Sequence, residues 1–142
     1  MKTPQHILQD AKTVAVVGLS SLPERPSHGV AQYLQQQGYR ILPVNPSYAG
    51  QEILGEKVHA TLQEAAATLA SAGQRIDIVD CFRKAADMPA VARDAAAVRA
   101  GCLWMQIGVG NQAAADLAQA AGLDVVMDQC MKVEHAAMKA TR

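Results

Sequence analysis

The chain is poor in aromatic residues, at 4% of its 142 positions, and carries no excess of either charge: 13 Lys and Arg stand against 13 Asp and Glu. With one Phe, one Trp and three Tyr, its interior must be built from aliphatic side chains. Balanced charge supplies neither the basic surface of a general nucleic-acid binder nor one that clings to acidic membranes, so neither partner is expected. No apolar run approaches the roughly 20 residues of a membrane span. The opening Met1-Lys2-Thr3-Pro4-Gln5 also lacks the apolar stretch of a secretion signal. Cysteine is scarce: Cys81, Cys102 and Cys130 are widely spaced, with no CxxC pair. That excludes a disulfide framework and the usual zinc patterns, and a reduced cytoplasmic protein is expected. Hydrophobic residues at 50% and charged residues at 18% exclude a disordered chain. The length suits one domain over residues 1–142.

What the chain does have is a recurring unit: an Ala/Leu-rich stretch, a glycine, then a short apolar run. It reads QQQGYRILPV, ASAGQRIDIV, VRAGCLWMQI and QAAGLDVVMD, around Gly38, Gly73, Gly101 and Gly122. Glycine just past a helix suits a left-handed terminal turn, which strains other residues. The runs that follow are apolar rather than alternating, as in strands buried on both faces of a parallel sheet. A fifth run, Thr13-Val14-Ala15-Val16-Val17, follows a short helix near residues 6–10. Helix starts are expected at Ser27, at Thr61 with Glu64 as a capping box, at Asp87 with Pro89, at Asn111, and near Met131. Strands alternating with helices predict a single Rossmann-like, doubly wound α/β domain. Its sheet is five-stranded and parallel, with helices on both faces and the order 3-2-1-4-5. The longest loop is expected over residues 45–61.

Sheets of this kind bind ligands beyond the carboxyl ends of their strands. After the first strand comes Gly18-Leu19-Ser20-Ser21-Leu22-Pro23-Glu24-Arg25-Pro26-Ser27. Only the first glycine of a GxGxxG fingerprint is present. The loop still has the parts of an anion site: hydroxyls on Ser20, Ser21 and Ser27, the Arg25 guanidinium, and the positive end of the next helix. After the second strand comes Val44-Asn45-Pro46. An acid is expected there for NAD and an arginine for NADP, and neither is present. Asn45, held extended by Pro46, is expected to turn toward a ribose. Two roles stay open for Pro46, that of stopping the strand and that of lying against an adenine. Phe82 is read as core or as ligand-facing, and Arg83 as solvated or as a phosphate partner. Gly108 and Gly110 allow a close approach or merely a tight turn. A nucleophilic Cys130 or an acid–base His28 would need supporting partners, and His135 lies five residues from Cys130, off its helix face. No catalytic residue and no metal site is assigned.

The segments GxSxxPxRPSxxVxxYLxxxGYxxxPVNP, IDIVDCFR, LWMQIGV and AGLDVVMDQCMKVEH occur in this order. Together they resemble the small stand-alone CoA-binding domain proteins, a family similar to the N-terminal CoA-binding domain of the succinyl-CoA synthetase alpha subunit. The resemblance runs from about Ile7 to His135. It implies coenzyme A, free or acylated, as the ligand. Gly18, Ser20, Ser21, Arg25 and Ser27 would hold the phosphates, and Val44, Asn45 and Pro46 would border adenine and ribose. Phe82, Arg83 and the Ile107-Gly108-Val109 turn would line the pantetheine path. Where the synthetase-type domain carries a Lys two residues after the Pro, this chain has Tyr48, leaving Arg25 to replace that contact. The synthetase's phosphorylated histidine belongs to a separate domain, so the resemblance implies binding without ligase chemistry. The alternatives are a small enzyme that uses the CoA thioester and a nicotinamide-binding redox sensor. A protein partner or a homo-oligomer is left open.

Overall fold

A computed structural model describes residues 1–141. Five parallel strands form the main sheet: β1 (Thr13–Val17), β2 (Arg40–Val44), β5 (Ile78–Cys81), β6 (Cys102–Met105) and β7 (Asp124–Met127). Six helices accompany it: α1 (Pro4–Asp10), α2 (Pro26–Gln36), α3 (Leu62–Ala70), α4 (Met88–Ala97), α5 (Gln112–Ala120) and α6 (Met131–Ala140). Strand residues alternate between two apolar layers, both buried. Val14, Val16, Ile78 and Trp104 pack with α1, α2 and α6. Ala15, Val17, Val79 and Leu103 pack with α3, α4 and α5. This is the doubly wound α/β architecture, and burial on both faces explains why the strands read as continuous apolar runs.

The strand order is β2-β1-β5-β6-β7, which corrects the expected 3-2-1-4-5. The second strand is an edge, and the third lies beside the first. Pro43 gives the physical reason. Arg40 N–H donates to Lys12 and the Val44 carbonyl accepts from Gly18 N–H, so the even positions of β2 face β1. Pro43 therefore turns its missing donor outward, as proline in a sheet requires. An interior β2 would have put that gap in a ladder.

The outer side of β2 is covered by part of the expected long loop. Strands β3 (Glu52–Ile53) and β4 (Glu56–Lys57) form an antiparallel hairpin, with Leu54 and Gly55 at φ 56° and 76°. Two consecutive positive φ values are the signature of a hairpin turn matched to strand twist. His59 just beyond donates its N–H to Pro43 O at 2.9 Å and accepts from Asn45 N–H at 2.9 Å, pairing the carboxyl end of the open edge.

Helix starts follow the sequence with two changes. Asn111 caps α5 through Ala114 N–H at 3.0 Å. Thr61 caps α3 through Glu64 N–H at 3.1 Å, but Glu64 reaches back to Ala60 N–H rather than to Thr61. At α2 the cap position belongs to Arg25, and Ser27 sits in the first turn. Gly38, Gly73 and Gly122 take positive φ as expected, whereas at the unit around Gly101 the left-handed residue is Arg99. Gly101 is needed for a different reason: a Cβ there would stand 2.8 Å from Asp77 O.

Candidate functional site

The site is built around the point where β1 ends between β2 and β5, the switch point of this strand order. Gly18 leaves β1 with φ +87°, and a Cβ on it would press on Arg83 Cδ at 3.0 Å and Phe82 O at 3.1 Å. Only glycine suits both the backbone and the space. The chain then folds back on itself. Ser20 N–H donates to Ser27 Oγ at 3.0 Å, and Ser20 Oγ accepts from Leu22 N–H at 3.1 Å. Both serines thus shape the loop as well as lining it. Arg25 is exposed at the N-terminus of α2, whose first turn holds no acid to neutralise its positive end.

Both ends of the Asn45 amide are engaged within the loop. Its Nδ2 donates to Leu19 O at 3.1 Å and its Oδ1 accepts from Ser47 N–H at 3.0 Å. An aspartate has no such donor, which accounts for an amide at the position where NAD-binding domains carry an acid. Pro46 opens a short 3-10 turn, Pro46–Tyr48.

Two cavities flank this junction. The first, of about 440 Å³, is lined by Gly18, Ser20, Arg25, Ser27, Asn45 and Phe82 of the expected residues, with Tyr48 and Ser47 beside them. Among the described residues, Arg25 is the one charged side chain in that lining. The second, of about 320 Å³, lies between β2 and the starts of α3 and α4. It brings together Val44, Pro46 and Arg83 with an apolar wall that includes Val17, Leu62 and Val91. Asp87, just before α4, and Ala90, Val91 and Asp94 of that helix reach it along one stripe. Ser21, Ile107, Gly108 and Val109 line neither cavity. Ile107 is 69% exposed, while Val109 packs toward the α4–α5 layer. The stretch 60–62 and the α4 stripe carried no distinctive sequence signal, since Ala and Val at helical spacing read as core.

Phe82 serves both readings at once: it packs against the α1–α2–α6 layer and lines the first cavity. Arg83 is exposed and its Nε lies 3.6 Å from Asp87 Oδ2. Beneath the site, Asp80 is fully buried on β5, where Gln106 Nε2 donates to its Oδ1. Burial pushes its carboxyl up to about 7, against the pull of that hydrogen bond. Burial likewise raises the Cys81 and Cys102 thiols well above their ordinary range, which makes them poor nucleophiles. His135 is buried, with Nδ1 2.9 Å from Tyr33 Oη and its ring edge-on to Tyr33 and Tyr39, a packing role. A smaller cavity of about 180 Å³ at the opposite strand ends sets Asp10, Asp77 and Asp124 against Lys2 and Arg75, a poor lining for a polyanion.

The model of the family described as CoA binding domain matches residues 12–136. The chain belongs to the CoA-binding domain family. The Bacillus subtilis (strain 168) protein named Uncharacterized protein YneT is 40% identical over 135 residues, covering 95% of this chain and 93% of that one. Among solved structures, the Thermus thermophilus protein cell-free ID.343 is 36% identical, with a TM-score of 0.84 over 96% of this chain and 99% of that one. A hypothetical protein from Pyrococcus horikoshii OT3 is 32% identical, with a TM-score of 0.83 over 97% and 93% of the two chains. A more distant likeness is the Rex-family repressor RSP solved with beta-NADH. It is 14% identical, with a TM-score of 0.57 over 95% of this chain and 61% of that one, and it shows the fold alone. No helix of the described residues is long and apolar enough to cross a membrane.

Proposed function

We propose that this CoA-binding domain protein takes up coenzyme A or an acyl-CoA at the carboxyl ends of its strands, as a binding or sensor module without catalysis of its own. Residues 1–142 act as one cytoplasmic domain in this reading. The observation that carries it is the contrast between the two cavities. The first has Arg25, an acid-free helix N-terminus and no carboxylate, which suits phosphates. The second has a mostly apolar wall ending on Pro46, which suits an adenine. Ser20, Ser27 and Arg25 would hold the phosphates, with Gly18 keeping the approach bare. Val44 and Pro46 would border the base. Phe82 and the Ile107-Gly108-Val109 turn would guide the pantetheine arm, whose thiol carries any acyl group. Asn45 would act by fixing the loop after Leu19, and Ser21 by its place beside Ser20.

A nicotinamide dinucleotide is the second reading, favoured by the repressor RSP having been solved with beta-NADH. Asn45, with both ends of its amide engaged, speaks against it, because no acid is offered to a free ribose diol. The two readings separate in one calorimetric series with CoA, acetyl-CoA, NAD and NADP. Tighter binding of either CoA form than of both dinucleotides is expected. The opposite order would overturn the proposal.

A further inference from the structure

The two cavities come close to each other at Gly18 and Arg83. Gly18 lines the first and Arg83 the second, and the two residues are in contact: a Cβ on Gly18 would stand 3.0 Å from Arg83 Cδ. The Arg83 stem therefore lies across the bare position at the end of β1. Its guanidinium is held on the far side, with Nε 3.6 Å from Asp87 Oδ2, where α4 begins. Asp87 itself lines the second cavity. A ligand that fills both cavities lies against this arginine, which lines the second. Asp94, the other acid of the same cavity, is oriented differently: its Oδ1 accepts from Gln63 Nε2 at 3.1 Å.

We propose that Arg83 is a latch between the cavities, held by Asp87 and handed over to a phosphate oxygen when a phosphorylated ligand spans both. Asp87 then sets the affinity of the site, and filling both cavities requires a ligand with a phosphate at their junction. A guanidinium matches phosphate in a forked geometry and gains more from a phosphate than from a carboxylate met at 3.6 Å through one nitrogen. The half-exposed ion pair is weak enough to exchange and strong enough to be felt. The inference rests on the CoA reading above and adds to it a residue that opposes binding.

The test is a calorimetric titration of CoA into the wild type, Asp87→Asn, Asp94→Asn, Arg83→Ala and the double variant Arg83→Ala/Asp87→Asn. Asp87→Asn should tighten CoA binding by about three- to fivefold, the worth of a half-exposed pair. Asp94→Asn removes the same charge from the same cavity without touching Arg83, and should tighten it by less than about twofold. Arg83→Ala should weaken binding, and adding Asp87→Asn to it should do no more than Asp94→Asn does, because Asp87 acts through Arg83. The latch is overturned if Asp87→Asn and Asp94→Asn have equal effects, or if Asp87→Asn tightens binding as much without Arg83 as with it. Failure of the wild type to take up CoA at all would overturn the CoA reading, and the latch with it. Uptake with no special effect of Asp87 would overturn the latch alone.

Discussion

Replacing Asp80 by Asn tests whether the sheet holds a carboxyl that is neutral until about neutral pH. Asp80 is fully buried between Val16 and Trp104 in register, and burial lifts its carboxyl from 3.8 to about 7. A raised acid means that the folded protein binds more protons than the unfolded chain between those two values. The stabilising contribution is therefore complete below about pH 4 and is lost progressively as pH rises through 7. At 1.36 kcal/mol per unit, the shift sets a ceiling of about 4 kcal/mol, and relaxation around the charge brings the expected loss to about 2–4 kcal/mol. Asparagine keeps the acceptor that Gln106 uses and cannot ionise. Its new amide group meets no partner at the Oδ2 position among the described residues, a cost of about 1–3 kcal/mol at every pH. The informative quantity is thus the slope and not the offset. The Cys81 and Cys102 thiols, both of which feel the Asp80 charge, stay neutral in the window, being pushed upward themselves. Urea unfolding of both proteins from pH 4.5 to 8, with reductant present, should show the stability of Asp80→Asn relative to wild type rising by about 2–4 kcal/mol. A difference that does not change with pH would refute the argument for a buried, neutral Asp80.

Three further outcomes are expected. Arg25→Ala should weaken CoA binding by about 1–3 kcal/mol by calorimetry. A larger loss for CoA than for dephospho-CoA assigns Arg25 to the 3′-phosphate, equal losses assign it to the diphosphate, and no loss removes it from the site. Asn45→Asp should lower stability by about 1–3 kcal/mol in urea, since it removes the donor to Leu19 O and sets a carboxylate against that carbonyl. It should also weaken CoA binding by at least roughly 1 kcal/mol at low salt, and unchanged stability would contradict the role given to its amide. Gly18→Ala should cost about 1–3 kcal/mol in the same assay, from positive φ and from contact with Phe82 O and Arg83 Cδ. A neutral Gly18→Ala would mean that the two strand ends are not pressed together there.

The sequence carried much of this fold in local signals that do not depend on strand order. The glycine-then-apolar units marked the strands from Arg40, Ile78, Cys102 and Asp124 because a helix end followed by a buried strand has a short, repeated chemistry. Strand order depends on which edges pair, and apolar runs buried on both faces look alike in that respect. The signal that was available was Pro43, a residue suited only to an outer edge. The hairpin at residues 52–57 was hidden because each strand is two residues long, too short for any period to register. At the candidate site, Gly18, Ser20, Arg25 and Ser27, all visible in the first loop, line one cavity. The second task of Asn45 is hidden in the sequence, which shows a residue's place along a strand and not the carbonyl of Leu19 across the gap. The Arg83–Asp87 pair and the α4 stripe lie on a second wall of the site that only the packing of β5 and α4 brings near β1.

The central claim, that the ligand's phosphates lie over the start of α2 and its base between α3 and α4, is met most directly by backbone NMR of the labelled protein titrated with CoA. The account expects amide shifts concentrated at residues 18–29, 45–48, 60–62 and 82–91. Little change is expected at Lys2, Arg75, Gly101 and Asp124, which line the cavity at the opposite strand ends. Shifts concentrated at those four residues, with residues 18–29 unmoved, would contradict it.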